Sequence, residues 1–241
     1  TPDEAALVAV DRELIATAGA PAAREPTARA WISATTLSGG AQAGGFHARL
    51  PNGFTATCAA PQCEGAMKPW SMRDGRRIRF FRREGWDHAS TAIHEWTPKT
   101  GSVRRLYLTD DVLADCAQDR DELVCLRDSS LRPRRLERLD PVTGSVTLLF
   151  DPNPEFSRLM LGSVRRLRWH NSFGLETLAD LVLPVGYRPG ERYPLIVVQY
   201  DTRGFLRGGT GDEYPIQAFA NRGYAVLSLR RPASVGNVRG G

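Results

Sequence analysis

Lysine is nearly missing from this 241-residue chain: Lys68 and Lys99 are the only two, so almost all of its 32 basic residues are arginine. Long apolar runs are missing as well. Those present, such as Leu195 to Val198, fall far short of the roughly 20 residues a membrane helix needs, so no membrane span is expected. Histidine occurs four times, never beside a cysteine, and the four cysteines lack CxxC spacing. Both facts speak against a zinc centre, and no metal is expected. There is no GxSxG, no GxGxxG and no P-loop lysine, so the glycine run at Gly204, Gly208, Gly209 and Gly211 serves backbone turns and no cofactor is expected.

What is present is the composition of an ordinary globular protein, 41% hydrophobic and 24% charged, long enough for one or two domains. The chain begins TPDEAALV without an initiator Met and stops at SVGNVRGG, just after an apolar strand-like run. It reads as an internal piece of a longer protein, so a missing residue or signal peptide is expected to lie outside it. The net charge of +5 concentrates in RRIRFFRRE (Arg76 to Glu84), RPRRLER (Arg132 to Arg138) and VRRLR (Val164 to Arg168). Arginines mixed with apolar residues fit the wet face of a strand better than a nucleic-acid surface, with an anion or acidic-peptide surface as the alternative. The cysteines form two local pairs, Cys58 with Cys63 and Cys116 with Cys125. Each pair is placed on neighbouring strands of a hairpin, and two disulfides in an oxidising compartment are favoured over buried free thiols.

Apart from an ambiguous opening segment, Asp3 to Thr17, one helix stands out in DEYPIQAFANRG: Asp212 caps, Pro215 sits in the first turn, Ile216, Phe219 and Ala220 share a face, and Gly223 ends it. The middle of the chain reads as short strands punctuated by PNG, RDG, PKTG and DPVTG turns. A repeat follows. AIHEWTPKTGSVRRLY (Ala92 to Tyr107) and RLERLDPVTGSVTLLF (Arg135 to Phe150) align without a gap at an offset of 43 residues, each preceded by another β-like run, RRIRFFRRE or DELVCLRDS. Four short strands in a period of the low forties is the pattern of a propeller blade. After DPNPEF (Asp151 to Phe156) the order changes to a strand pair, a Pro/Gly loop (Pro184 to Pro194), an all-apolar strand (Leu195 to Gln199), a glycine-rich loop, the helix and a second apolar strand (Ala225 to Leu229). All-apolar strands predict a sheet covered on both faces, as where an α/β layer begins.

Three stretches carry a resemblance. Trp70-Ser71 followed by Asp74-Gly75, Ile78 and Phe80 resembles the W-S-x-D-G blade motif of prolyl-oligopeptidase-type serine peptidases with one extra residue, the Trp expected to pack between blades. The run from Trp169 through Gly174 and Thr177 to Pro184, then YPLIVVQYDTRGF and AFANRGYAVLSLRRP, resembles the same superfamily across its domain junction. Within it, RGFLRGGTGDEYPIQAFANRG, DPNPEF and the two cysteine pairs are most similar to the lasso peptide isopeptidases of Gram-negative bacteria, over roughly residues 50 to 235. The resemblance implies β-propeller blades over 1–155 and, over 156–241, the start of an α/β-hydrolase domain that stops before the nucleophile.

It further implies a periplasmic or secreted serine hydrolase whose peptide substrate is a threaded lasso peptide, with no nucleic-acid partner. A general peptidase on short peptides and a non-catalytic propeller interaction module are the rival readings. The catalytic Ser, Asp and His are expected beyond Gly241, since His47, His88, His94 and His170 sit where the superfamily keeps no catalytic His. Tyr200, ending the first apolar strand, occupies the place of the superfamily's oxyanion donor. Asp201, Arg203, Phe205 and Arg207 follow at the carboxyl end of that strand, where open α/β sheets bind ligands, and are candidate substrate contacts.

Overall fold

The computed structural model describes residues 29–36, 42–50, 53–206 and 214–231, and at 29–36, 42–45 and 200 the backbone alone. Four sheets follow one another along the chain. Strands β1 (Arg29–Thr36), β2 (Gln42–Arg49) and β3 (Thr55–Thr57) form an antiparallel three-stranded sheet. The second sheet is a four-stranded meander of β4 (Met67–Ser71), β5 (Ile78–Glu84), β6 (Ser90–Thr97) and β7 (Ser102–Thr109). The third repeats that order with β8 (Val112–Asp119), β9 (Glu122–Ser129), β10 (Arg132–Leu139) and β11 (Val146–Phe150). The two copies of the sequence repeat are the third and fourth strands of these meanders. Their PKTG and DPVTG turns close on glycines that need a left-handed backbone, Gly101 at φ 73° and Gly144 at φ 75°.

Sheets stack through apolar faces. Phe46 of β2 meets Phe80 and Trp96 of the second sheet at ring distances of 5.0 and 5.2 Å. Phe81 and Ile93 of the second sheet join Leu123, Cys125 and Leu139 of the third. Trp70 sits in that second interface, 5.1 Å from Phe81, as the blade motif predicts. The Asp74 carboxylate holds its turn, accepting from the backbone N–H of Arg76 at 2.9 Å and of Arg77 at 3.2 Å.

The fourth sheet differs. Strands β12 (Val164–His170) and β13 (Glu176–Val182) form a hairpin. Then β14 (Leu195–Tyr200) crosses over through α1 (Ile216–Asn221) to a parallel partner, β15 (Ala225–Arg230), in the order β12-β13-β15-β14. The helix is shorter than the sequence suggests: Pro215 is its N-cap, not a first-turn residue, Gly223 ends it at φ 85°, and the expected cap Asp212 lies outside the described residues, as does the opening segment Asp3 to Thr17. Within these four strands β14 is the edge: Val198 is buried under the helix, and Leu195 and Val197 on the other face are over half exposed.

Two further expectations change. Arg79, in the run assigned to a wet strand face, is fully buried. Its Nε donates to Glu95 Oε2 at 3.0 Å within the second sheet and its Nη1 donates to the Asp121 carbonyl at the β8–β9 turn, so one hydrogen bond of a buried charge pair crosses to the next meander. Both cysteine pairs are disulfides. Cys116–Cys125 joins the β8–β9 hairpin where a register shift between Ala114 and Ala117 turns Cys116 toward its partner. Cys58–Cys63 is not a hairpin bridge: it links the residue after β3 to a 3-10 turn, Pro61–Cys63, and packs into the core between the first two sheets.

Candidate active site

The second, third and fourth sheets meet around the carboxyl ends of β14 and β15. The tip of the β5–β6 hairpin reaches the fourth sheet: Trp86 Nε1 donates to the Thr177 carbonyl at 2.9 Å, the Asp87 N–H to Glu176 Oε2 at 2.6 Å, and Arg230 Nη1 to the Asp87 carbonyl at 3.0 Å. On the other side, the loop after β14 leans on the third sheet, with the Leu206 N–H donating to the Ser130 carbonyl at 3.2 Å. At Gly204 (φ 67°) an added Cβ would lie 2.7 Å from Asp128 Oδ1, so this loop is as close to β9 as a backbone allows.

Tyr200 ends β14 with its backbone paired to Arg230. Two residues on, Thr202 is buried, and its hydroxyl donates to Asp180 Oδ2 at 2.6 Å. Asp180, itself fully buried on β13, takes a bidentate pair from Arg166 of β12, Nε to Oδ1 and Nη2 to Oδ2, both at 2.9 Å. A buried carboxylate held by a guanidinium fork and a hydroxyl is fully satisfied and geometrically fixed. It pins the start of the loop to the sheet, directly after the candidate oxyanion donor.

Of the loop residues singled out from sequence, Asp201 and Arg203 are exposed. Phe205 is half-buried, edge-on to Phe156 at 5.5 Å, and lines a cavity of about 590 Å³ with Leu159, Met160, Pro215 and Ala218. Arg207 lies outside the described residues. Asp180, Thr202 and Arg166 were not singled out, although Asp180 is a lone acid in the apolar run LADLV, and buried acids are almost always paired. Arg83 was hidden inside the arginine-rich run. It stands at the end of β5, where burial and the charges of Arg203 and Arg230 push its guanidinium down to about 10, with Asp201 opposing. Burial likewise raises the Asp128 carboxyl above its ordinary value, although the Arg134 and Arg203 charges counter it. Among the described residues no three His, Cys, Asp or Glu side chains converge as a metal centre requires.

No family model matches the chain. Lasso peptide isopeptidase AtxE2 of Asticcacaulis excentricus is 40% identical over 187 residues, which are 78% of this chain and 27% of the isopeptidase. A solved structure of a serine-to-alanine variant of AtxE2 isopeptidase with Astexin3-dC4 bound aligns with a TM-score of 0.80 at 36% identity, over 88% of this chain and 33% of that one. The chain is a homologue of this isopeptidase. The chain spans about a third of the length of the relatives it matches, 27% to 35%. An acylaminoacyl peptidase in complex with Z-Gly-Gly-Phe-chloromethyl ketone aligns with a TM-score of 0.59 at 18% identity, over 86% of this chain and 32% of that one, and shares the fold alone. The chain is thus a run of β-propeller blades followed by the opening of an α/β-hydrolase layer.

Proposed function

We propose that the chain is part of a serine isopeptidase that hydrolyses the macrolactam bond of a lasso peptide. Residues 1–155 contribute propeller blades, and 156–241 the first part of the catalytic domain. The observation that carries this reading is the alignment, over most of the chain, with an isopeptidase whose structure has Astexin3-dC4 bound. The reaction is an acyl transfer: a serine outside this chain attacks the side-chain carbonyl of the ring-closing Asp or Glu, the N-terminal amine leaves, and water releases the linear peptide. In that scheme the Tyr200 hydroxyl donates to the oxyanion, and Thr202, Asp180 and Arg166 position the strand end that carries it. A neutral donor fixed on a rigid strand end costs no reorganisation when charge develops. Asp201, Arg203, Phe205 and Arg207 are the proposed substrate contacts. The two disulfides support an oxidising compartment, the periplasm in this reading.

The full-length protein, given a threaded lasso peptide and its linear counterpart, is expected to add one water to the threaded form only. Intact threaded peptide, or equal cleavage of ordinary linear peptides, overturns the reading. Tyr200→Phe is expected to lower kcat by about a hundredfold with an unchanged unfolding midpoint. An unchanged kcat removes Tyr200 from the mechanism.

A further inference from the structure

We propose that Arg83, Arg203 and Arg230 form a carboxylate-binding site at the carboxyl ends of β14 and β15 that takes an acidic group of the peptide substrate. The proposal deepens the isopeptidase reading and rests on it for the choice of ligand. Three elements deliver the cations: the end of β5, the loop after β14 and the end of β15. Arg83 is the centre of the argument. Its Nε donates to the His88 carbonyl at 3.2 Å, Nη1 to Thr91 Oγ1 at 2.7 Å and Nη2 to the Ala89 carbonyl at 2.9 Å. All three acceptors are neutral. A guanidinium has five N–H donors, so one remains on each terminal nitrogen, enough for a bidentate carboxylate. The three bonds fix the side chain in advance, which lowers the entropy cost of binding.

Of the three cations Arg230 has its own counter-ion, Asp87, with Oδ2 at 3.3 Å from Nε, so the charges left open are those of Arg83 and Arg203. Asp128 is taken by Arg134, Oδ2 to Nη2 at 3.3 Å. Glu84, the neighbour of Arg83 in sequence, is held by Arg82, His94 and Arg105. Asp201, and for Arg203 also Asp128, favour the charged forms from a distance, but among the described residues neither arginine makes an ion pair. Burial and the Arg203 and Arg230 charges depress the Arg83 guanidinium, and Arg203 is lowered by its surroundings and the Arg230 charge despite the opposing acids. A half-buried, uncompensated charge is costly to keep unless an anion completes it. Site and loop also coincide: Arg203 lies three residues after Tyr200, so a peptide reaching the strand end passes the cluster.

The source of the carboxylate is either the peptide's C-terminus or an acidic side chain outside the ring-closing residue. The test titrates the full-length protein with three lasso peptides, namely the parent, its C-terminal amide, and a form with those side chains converted to amides, and follows cleavage in parallel. Neutralising the recognised group is expected to raise Kd and KM by about ten- to a hundredfold with kcat unchanged. The peptide form that shows the rise identifies the source. Arg83→Gln is expected to give the same loss on the parent and none on the neutralised peptide. Because Arg83 also holds the hairpin tip, Arg203→Gln, which breaks no hydrogen bond among the described residues, is the second variant and is expected to behave alike. Equal affinity of the wild type for all three peptides overturns the site, as does a loss in both variants that is the same on charged and neutral peptides. Cleavage without carboxylate dependence defeats this inference alone. Carboxylate-dependent binding without cleavage defeats only the isopeptidase reading, and the absence of both defeats the two together.

Discussion

The second and third sheets are built from the same repeat, yet they live in different environments. The second sheet lies between two others, and every residue of β6 from Ser90 to Trp96 is buried. The third sheet is covered by the second on one side, and its fourth strand β11 is exposed along its whole length. Charge pairing follows the cover. Glu95 of β6 is buried and receives Arg79 at 3.0 Å, Arg104 at 2.7 Å and Arg77 at 3.3 Å. At the repeat offset its place is taken by Arg138, which reaches Asp119 at 3.3 Å and Glu122 at 3.6 Å with all three side chains about two-fifths exposed. Sequence similarity therefore sets the strand order, while stacking neighbours decide whether a cross-strand ion pair is structural or merely solvated.

The sharpest way to break this comparison is to remove one carboxylate from each sheet of the full-length protein. Glu95→Ala leaves Arg79 buried and uncompensated and is expected to cost about 3–5 kcal/mol of unfolding free energy. Glu122→Ala is expected to cost about 1 kcal/mol or less. Denaturant titration checks both; equal losses would mean that burial does not govern the pairs. The disulfides come next. Opening Cys116–Cys125 by a double Cys→Ser change is expected to lower stability by about 2–3 kcal/mol, and opening Cys58–Cys63, which closes a still shorter loop, by somewhat less on the same account. A larger effect at Cys58–Cys63 would show that its packing between the first two sheets outweighs loop closure.

Local chemistry made much of this fold legible in the sequence. PKTG and DPVTG need particular backbone conformations, so they marked the same turn in two sheets, and Trp70 with Asp74-Gly75 marked a strand pair. What was not legible depends on residues far apart in the chain. Arg79 looked like a solvent-facing residue because its partner is sixteen positions away and its carbonyl contact, Asp121, lies in the next sheet. At the site, Tyr200 to Phe205 was legible as the carboxyl end of a strand. The Arg166–Asp180–Thr202 lock draws on β12 and β13 of the same sheet and the Arg83 approach on β5 of the second sheet, and both needed the tertiary structure.

The same cover that buries Glu95 also buries a titrating group, which gives the comparison a pH signature. His94 is stacked on Phe80 at 5.4 Å, and its Nε2–H donates to Glu84 Oε1 at 2.7 Å. Burial holds His94 below the ordinary histidine range, and although Glu84 opposes this, the Arg82 and Arg105 charges reinforce it. Its counterpart at the repeat offset is Glu137, so the third sheet has no histidine at this position. As pH falls through about 6.5 the unfolded chain takes up a proton at this position before the folded protein does, so stability contributed by neutral His94 is lost on acidification. Burial also works against ionised Glu84, but Arg105 and His94 hold its pKa below the usual carboxylate value, so its own contribution is lost only at lower pH, below about 4.5. The expected result is a modest fall in the unfolding midpoint between pH 7 and 5, the smallest of these effects, and a flatter profile in His94→Gln. If His94→Gln retains the full slope, the pH dependence belongs to another group and the buried face of β6 is not its origin.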